Sequence, residues 1–333
     1  MDCYKGRDVV VTGGAGFIGS HLAERLVQLD ARVTVVDNME RGSMENISGF
    51  RDRLEDVKFC DLRSFRAAMN AVQDADLVFH LAFKVGGIPY TGAPAFFSEI
   101  WRDGTLINMN LLEACLKEAV VDRVLFTSSA CVYSGGLQTR PDSPPIKEDQ
   151  VFPALPDDAY GWSKLAGELQ AKWLFENYGM ETVIIRPFNV YGPREFLDRE
   201  LGHCLPVLCR KALEWPEKPF TVHGDGLQTR CFLYVTDAVE GMLTAMEKGQ
   251  PATAYNLGTD QPVSIKELAL NILRISGRKI KPEFQVDYPV TGVRGRTPDL
   301  TRLRSLGWDW KMPLEDGVEK TFAWVRHWLK SHT

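Results

Sequence analysis

A short β-branched strand that runs into a glycine-rich turn constrains the fold of this chain more than any other feature. Residues 8–12 read Asp-Val-Val-Val-Thr, and Gly13-Gly-Ala-Gly16-Phe-Ile-Gly19 follows directly. Gly13 permits a tight turn, and Gly16 lets a pyrophosphate approach the backbone at a helix N-terminus. Gly19 lets the helix expected over 20–29 pack closely on the strand. This order of strand, spaced glycines and helix predicts a dinucleotide-binding unit.

An acidic residue after the second strand indicates which dinucleotide is bound. The strand expected over 32–36 leads to Asp37, 18 residues after Gly19. A carboxylate at this position binds the adenosine ribose hydroxyls and repels a 2′-phosphate. The sequence therefore predicts NAD rather than NADP as the cofactor.

Strands and helices continue to alternate through the first half of the chain. Further strands are expected over 57–60, 76–82 and 123–128, and a long amphipathic helix over 106–120. This alternation predicts a parallel sheet with right-handed crossovers, whose ligands lie beyond the carboxyl ends of the strands. Besides the three glycines and Asp37, the residues expected to bind the cofactor there are Phe17, Ile18, Asn38, Asp61, Leu62, Leu81, Ala82 and Lys84.

The predicted fold class is α/β, a Rossmann-type doubly wound parallel sheet with a smaller C-terminal substrate-binding α/β lobe. We expect residues 1–185 to form the NAD-binding domain. Residues 186–333 are expected to form mainly the substrate-binding lobe, because the pattern there is irregular and rich in proline. Some of its segments are expected to interleave with the first domain, since a core strand is predicted over 254–258.

Composition and charge exclude several classes of protein. The net charge of −5 gives no general attraction to nucleic acid or to an anionic membrane. No apolar run approaches the roughly 20 residues that a membrane-spanning helix needs. The seven cysteines are odd in number and scattered, without metal-type spacing. We therefore expect reduced thiols in a cytoplasmic protein that binds no metal.

A tyrosine and a lysine one helical turn apart are the candidate acid–base pair. Tyr160 and Lys164 lie in a helix expected to begin near Ala159, and at 3.6 residues per turn they project from the same face. A phenol with an ordinary pKa near 10 is a poor base, but an adjacent ammonium group and a nicotinamide cation would favour the phenolate. Such a pair can accept a proton from an alcohol while a hydride leaves the same carbon. Ser129, at the end of the strand over 123–128, completes a Ser–Tyr–Lys set.

These motifs together resemble the extended short-chain dehydrogenase/reductase superfamily, in its branch that modifies nucleotide sugars. The stretches that carry the resemblance are Thr12-Gly-Gly-Ala-Gly-Phe-Ile-Gly-Ser-His21, Ser128-Ser-Ala-Cys-Val-Tyr133, Tyr160-x-x-x-Lys164, Arg186-Pro-Phe-Asn-Val-Tyr-Gly-Pro193, Gly224-Asp-Gly-Leu-Gln-Thr-Arg230 and Leu306-Gly-Trp308. The resemblance implies that Ser129 hydrogen-bonds the reacting hydroxyl and that Tyr160 is the acid/base. It further implies that Lys164 holds the nicotinamide ribose and lowers the tyrosine pKa, and that Pro187 and Asn189 line the nicotinamide.

Two further residues narrow the branch. Cys131 lies two residues after Ser129, so on an extended chain both side chains would point the same way. The surroundings of Cys131 resemble those in GDP-mannose 3,5-epimerases, which pair this cysteine with a lysine where the present chain has His203. GDP-fucose synthases pair a cysteine with a histidine, but they use NADPH, which Asp37 disfavours. Other readings are that Cys131 is a small core residue and that His203 is a surface group or a diphosphate contact.

A thiol and an imidazole suit one particular chemistry. Oxidation at C4 of a sugar makes the hydrogens at C3 and C5 acidic, because both carbons are then α to a ketone. Inversion of such a carbon needs one group to remove a proton from one face and another to deliver a proton to the opposite face. Cys131 and His203 both titrate near enough to neutral pH to do this.

Arginines in the second half are the expected diphosphate contacts. Arg230, Arg294 and Arg296 are candidates, because a guanidinium offers bidentate donors to phosphate. The alternative for each is a solvated surface charge. Gly86, Ser129 and Asn189 complete the expected substrate-binding set.

The favoured hypothesis is an NAD-dependent nucleotide-sugar epimerase that inverts C3 and/or C5 of a GDP-hexose. The first alternative is a UDP-hexose 4-epimerase, in which Cys131 and His203 would be bystanders. The second is a non-catalytic NAD-sensing protein, which would need no Ser–Tyr–Lys set. The resemblance also implies a homodimer built on the helices over 106–120 and 160–178.

Overall fold

A computed structural model describes residues 2–118, 120–287 and 292–332. Its strands are β1 (Asp8–Thr12), β2 (Arg32–Asp37), β3 (Asp56–Phe59), β4 (Leu77–His80), β5 (Arg123–Thr127), β6 (Glu181–Pro187), β7 (Val190–Tyr191), β8 (Thr221–His223), β9 (Thr229–Cys231), β10 (Leu233–Tyr234), β11 (Thr253–Leu257), β12 (Pro262–Ser264), β13 (Glu283–Gln285) and β14 (Gly295–Arg296). Its α-helices are α1 (Phe17–Gln28), α2 (Phe65–Val72), α3 (Ile88–Thr91), α4 (Phe97–Lys117), α5 (Ala159–Tyr178), α6 (Cys204–Glu214), α7 (Val235–Lys248), α8 (Ile265–Ile275), α9 (Thr301–Ser305) and α10 (Leu314–Ser331).

Seven of the described strands form one sheet in the order β11-β6-β5-β4-β1-β2-β3, and every neighbouring pair is parallel. Helices cover both faces, as a parallel sheet requires. Side chains of α1 and α7 pack on one face, and those of α2, α4 and α5 pack on the other. The predicted Rossmann-type, doubly wound α/β fold is therefore confirmed.

A strand from the second half of the chain completes this sheet. β11 pairs with β6 in the register Tyr255↔Ile185, so the core strand predicted over 254–258 lies in the large sheet. The remaining strands of the second half form small sheets, β12-β9-β14 and β13-β8, and β10 pairs with β7. Helices α6, α8 and α10 share a separate apolar core with them. This second core supports the segments that face the carboxyl edge of the large sheet.

Two helices begin earlier than the sequence pattern predicts. Helix α4 starts at Phe97 rather than at 106, because Asp103 and Gly104 interrupt the apolar pattern although both are buried inside the helix. A Cβ atom on Gly104 would lie 2.4 Å from the Phe83 ring, so glycine is needed for close packing there. Helix α1 starts at Phe17, within the glycine motif. Ala119, part of the range expected for α4, lies outside the described residues.

The carboxyl ends of β1, β2, β4 and β5 converge on one edge of the sheet, where ligands of such folds bind. Within the part of the chain that the structure describes, none of the helices combines the length and apolarity needed to cross a membrane.

Candidate active site

A single cavity of about 950 Å³ runs along the carboxyl edge of the sheet and under the C-terminal segments. It brings together nearly every residue that the sequence singled out. The predicted residues that line it are Gly13, Gly16, Phe17, Ile18, Gly19, Asp37, Asn38, Asp61, Leu62, Leu81, Ala82, Lys84, Gly86, Ser129, Cys131, Tyr160, Lys164, Pro187, Asn189, His203, Arg230 and Arg296. Arg294 is not among the lining residues.

The glycine turn after β1 fits a dinucleotide pyrophosphate. Gly13 has φ +67°, and a Cβ there would lie 2.9 Å from the Ala82 backbone, so only glycine is tolerated. A Cβ on Gly19 would lie 2.1 Å from the Gly13 carbonyl oxygen. The turn thus packs without side chains against the start of α1, where helix N–H groups and the helix dipole favour phosphate.

The Asp37 carboxylate is held rigidly at the end of β2. Its Oδ2 accepts a hydrogen bond from the Ala15 amide at 3.1 Å, and its Oδ1 accepts one from the Met39 amide at 2.9 Å. Burial raises the pKa of Asp37, and these backbone donors act in the opposite direction. The carboxylate borders the cavity beside the glycine turn, which suits contact with the ribose hydroxyls of NAD.

Lys84, on the loop after β4, is held between two acidic residues. Its Nζ lies 2.6 Å from a Glu40 oxygen and 2.8 Å from a Glu99 oxygen. Hydrogen bonds to these carboxylates raise the pKa of Lys84, so it is a fixed positive charge on the cavity wall. Glu40 follows β2 and Glu99 belongs to α4, so this lysine links three segments around the expected cofactor site.

Tyr160 and Ser129 meet where α5 begins. The Asp158 side chain caps the helix by accepting a hydrogen bond from the Gly161 amide at 2.7 Å. A Cβ on Gly161 would lie 2.2 Å from the Cys131 carbonyl oxygen, so the first turn of α5 packs directly on the segment after β5. This contact brings the Tyr160 hydroxyl within hydrogen-bond reach of Ser129.

The expectation that Lys164 lowers the pKa of Tyr160 stays a prediction, because Lys164 is not among the main influences on the phenol in the protein alone. Burial raises the pKa of Tyr160, and Cys131 adds to this effect, while Ser129 and Arg296 oppose it. The Lys164 Nζ instead donates to the Thr127 carbonyl oxygen at 2.8 Å and lies 5.9 Å from the centre of the Tyr160 ring. Burial lowers the pKa of Lys164 itself to about 7, against the opposing effect of Glu168.

Cys131 reaches the cavity by a different geometry from the one predicted. Residues Ala130–Val132 form a short 3-10 helix rather than an extended chain, and the Ser129 Oγ accepts a hydrogen bond from the Cys131 amide at 3.1 Å. The argument from alternating side chains is therefore wrong, although Cys131 still borders the cavity. Its Sγ lies 3.4 Å from the Arg296 Nη1, so the described structure gives this cysteine a cationic neighbour rather than a purely apolar one.

His203 lies immediately before α6 and faces the same cavity. Its Nδ1 is 2.7 Å from the Glu195 Oε1, and 43% of its side-chain surface is open while only 2% of Glu195 is. Burial lowers the pKa of His203, but the hydrogen bond and negative charge of Glu195 outweigh burial, so the net pKa is raised. The predicted candidates Cys131 and His203 thus border one cavity together with Tyr160.

The three predicted arginines have different surroundings. Arg230 is buried beside the cavity, and burial together with Arg296 lowers its pKa to about 10. Arg294 instead forms a two-pronged ion pair with Asp225, at 3.0 Å for each contact, and does not line the cavity. We therefore remove Arg294 from the candidate phosphate contacts.

Two residues at the cavity were missed from the sequence. Glu195 lies in the irregular segment before α6, where no period predicts which side chains turn inward. Arg41 stacks on Phe196, with 4.2 Å from its guanidinium carbon to the ring centre, and on Tyr90 at 5.5 Å. The pairing of Glu195 with His203 lies within one irregular segment and spans eight residues, whereas the ring partners of Arg41 are far along the chain, so neither contact has a sequence signal. Among the described residues, no three histidine, cysteine, aspartate or glutamate side chains converge as metal ligands would.

Comparison with known proteins supports the same fold and chemistry. The model of the NAD dependent epimerase/dehydratase family matches residues 9–258. GDP-mannose 3,5-epimerase of Arabidopsis thaliana is 32% identical over 323 residues, which cover 97% of this chain and 83% of that protein. UDP-N-acetyl-alpha-D-glucosaminuronate decarboxylase of Bacillus cytotoxicus is 33% identical over 335 residues, covering 95% and 97% respectively.

A solved structure gives the same picture. UDP-glucose 4-epimerase of Thermotoga maritima, crystallised with UDP-glucose, superposes with a TM-score of 0.83 at 28% identity, covering 97% of this chain and 99% of that one. Relatives of nearly equal similarity therefore carry the names of enzymes for different nucleotide sugars.

Proposed function

The chain belongs to the NAD dependent epimerase/dehydratase family, and on that premise we propose that it inverts C3 and/or C5 of a GDP-hexose after transient oxidation at C4. The chain is thus an enzyme, and NAD, predicted from Asp37, is its cofactor. What supports the more specific reaction is that Cys131 and His203 border the same cavity as Tyr160. Inversion next to a ketone needs two proton-transferring groups, whereas inversion at C4 alone needs neither.

The first step is a proton transfer at the C4 hydroxyl. Tyr160 takes this proton, and Ser129 orients the hydroxyl by a hydrogen bond. The chemistry that bound NAD supplies is reversible acceptance of hydride from C4. Because burial raises the pKa of Tyr160, the tyrosine must first release its own proton to solvent before it can accept this one, and Ser129 and Arg296, which lower that pKa, favour the release.

The second step belongs to Cys131 and His203. One of them removes the proton from a carbon next to the C4 ketone, and the other delivers a proton to the opposite face of that carbon. Arg296 contacts the Cys131 sulfur, so the cysteine can alternate between thiol and thiolate beside a fixed cation. When the C4 ketone is reduced again, Tyr160 would return the proton to the C4 oxygen, which completes the epimerised sugar.

Binding of the nucleotide is assigned to the second half of the chain. Arg230 and Arg296 are paired residues on adjacent strands β9 and β14, and both border the cavity. A diphosphate is the part of the substrate that two neighbouring guanidinium groups would hold. The choice of a GDP-sugar over a UDP-sugar rests on the resemblance of residues 128–133 and 226–230 to GDP-mannose 3,5-epimerases.

The experiment that tests the proposal is turnover in heavy water with GDP-mannose and, in parallel, UDP-glucose. Deuterium at C3 or C5 of the GDP-sugar is the expected result. Inversion at C4 without solvent deuterium would instead support a UDP-hexose 4-epimerase, which the similarity to the Thermotoga maritima enzyme makes the second candidate. No change in any sugar by NAD-loaded protein would favour a non-catalytic NAD sensor.

We also propose a homodimer that forms through α4 and α5. Both helices carry large apolar side chains that remain exposed on the single chain, among them Trp101 and Met109 on α4 and Trp162 and Trp173 on α5. Large apolar side chains exposed on two neighbouring helices are typical of protein–protein contacts. The two helices pack on each other within one chain, so a second copy would form a four-helix arrangement with them.

A further inference from the structure

A buried glutamate beside His203 has no place in the function described so far. Glu195 lies in the irregular segment between β7 and α6, and 2% of its side-chain surface is exposed. Its Oε1 is 2.7 Å from the His203 Nδ1. Its Oε2 accepts no hydrogen bond of normal geometry from the described residues, although the Gly192 amide lies nearby.

A purely structural role explains this arrangement poorly. Burial of a carboxylate costs free energy unless both oxygens are well partnered, and here one oxygen is not. Burial accordingly raises the pKa of Glu195, and the contact with His203 acts in the opposite direction. A neutral side chain of the same shape would fill this position at a lower free-energy cost of burial. The negative charge of Glu195 therefore needs an explanation.

We propose that Glu195 is a positioning residue that keeps a proton on the His203 Nδ1 and leaves the Nε2 of that ring to carry protons in the cavity. The inference rests on the proposed function, because it gives His203 its role in sugar inversion. Glu195 does not touch the substrate; it acts through the histidine. A hydrogen bond made by one ring nitrogen of a histidine decides which of the two nitrogens carries the proton in the neutral ring.

The charges around the ring favour this arrangement. Glu195 is the anion that faces His203, Arg41 is the cation that faces it, and the Gly86 carbonyl oxygen lies within reach of the ring. Arg41 opposes protonation, whereas Glu195 and the Gly86 carbonyl favour it. The imidazolium form is therefore balanced by one buried carboxylate, which lets the ring accept a proton without leaving an uncompensated charge.

The proton balance of inversion uses this property. When neutral His203 takes the proton from the sugar carbon, the electron pair of that C–H bond becomes the enolate of the C4 ketone. Cys131 then gives its thiol proton to the opposite face, which restores the ketone and leaves an imidazolium and a thiolate. Proton exchange with water returns both groups to their starting forms, and the reverse direction exchanges their roles.

The test compares Glu195→Gln with Glu217→Gln in NAD-loaded enzyme. Glutamine keeps an oxygen that can accept from Nδ1 but removes the charge, and Glu217 is an exposed residue outside the cavity lining that controls for the same change of charge. We expect Glu195→Gln to slow deuterium incorporation at C3 or C5 about 10- to 100-fold, by analogy with the loss of the carboxylate partner of a metal-bound histidine. Reduction of bound NAD by the sugar and the KM should change little, because neither depends on His203. Glu217→Gln should match the wild type.

A titration of His203 gives a readout that needs no substrate. Selective isotope labelling of histidine, with His203→Asn to assign the signal, reports the ring pKa by NMR. Since Glu195 raises the pKa of His203, Glu195→Gln should move the titration to lower pH, and the His203-dependent limb of the exchange profile should move with it. If Glu195→Gln does not fold, Glu195→Asp keeps the charge at a longer distance and should give a smaller shift in the same direction.

The outcomes separate this inference from the proposed function. An unchanged His203 titration in a folded Glu195 variant overturns the inference. So does full deuterium exchange in Glu195→Gln, or an equal slowing of NAD reduction and exchange, which would indicate general damage. Absence of exchange in the wild type with every sugar tested would overturn the proposed function instead, and the titration alone would then decide whether Glu195 controls the histidine.

Discussion

Replacement of the buried lysine by methionine, Lys164→Met, should change how the stability of the protein depends on pH. Only 2% of Lys164 is exposed, and burial lowers its pKa to about 7 from an ordinary value of 10.5. Above pH 7 the folded protein therefore holds a neutral amine, whereas the unfolded chain still binds a proton. A group of this kind makes stability rise with pH, because the unfolded state binds more protons than the folded state.

The size of the effect follows from the pKa difference. One pKa unit corresponds to about 1.4 kcal/mol. Between pH 7 and pH 9 the free energy of unfolding of the wild type should therefore rise by roughly 2–3 kcal/mol relative to that of Lys164→Met. Below pH 7 Lys164 is protonated in both the folded and the unfolded wild type. The difference in free energy of unfolding between the wild type and the variant then becomes constant. Loss of the hydrogen bond to the Thr127 carbonyl shifts the variant's stability by a similar amount at every pH, so it leaves the slope unaffected.

Denaturant unfolding of cofactor-free protein at several pH values measures this difference. Lys172→Met is the control, because Lys172 is an exposed lysine on the same helix, and its profile should run parallel to the wild type. Parallel profiles for wild type and Lys164→Met from pH 7 to pH 9 would refute the reasoning. The variant should also lose activity, which would show that a destabilising amine is retained for function.

Four further predictions follow from the site and the fold. Tyr160→Phe should abolish turnover of every sugar and reduction of NAD, measured by nicotinamide absorbance, because the proposed mechanism assigns the C4 hydroxyl proton to Tyr160. Cys131→Ala should still reduce NAD but should stop deuterium exchange in heavy water. Gly19→Ala should lower NAD affinity in calorimetric titrations, because its Cβ would lie 2.1 Å from the Gly13 carbonyl oxygen. If the proposed dimer forms through α4 and α5, Trp173→Glu should give a monomer in light-scattering measurements where the wild type gives a dimer, with the folded secondary structure unchanged by circular dichroism.

The sequence predicted the first half of the fold well because its elements are defined locally. Each strand of the large sheet is a short apolar run, and spaced glycines with a following Asp37 leave few other structures. Helix α4 was placed too late because a buried polar residue and a glycine inside it, Asp103 and Gly104, have the signature of a helix end. Gly104 packs on Phe83 and Asp103 is paired with Arg63, contacts that no local pattern contains.

The candidate site was predictable as a set of residues but not as a geometry. The side chains that line the cavity follow strand ends and known spacings, which a linear sequence displays. The turn at Ala130–Val132 and the pairing of Glu195 with His203 are local, but they lie in irregular segments where no period predicts the direction of a side chain. The contact of Arg296 with Cys131 joins segments that meet only after folding. The error for Arg294 has the same origin, because its partner Asp225 is 69 residues away.

The two remaining arginines give a physical argument for the kind of substrate. Arg230 and Arg296 face each other across the pair β9–β14, and their mutual repulsion adds to burial in lowering the pKa of Arg230. Arg296 has neutral partners, Gln138 at 2.6 Å and the Cys131 sulfur, and Arg230 donates to the Thr229 carbonyl at 2.8 Å. Within residues 2–118, 120–287 and 292–332, no carboxylate is shared by these two cations, which costs free energy in the protein alone, and a bound diphosphate would remove that cost. The substrate-free protein should therefore be stabilised more by GDP than by guanosine, and equal stabilisation by the two would argue against these arginines as the diphosphate site.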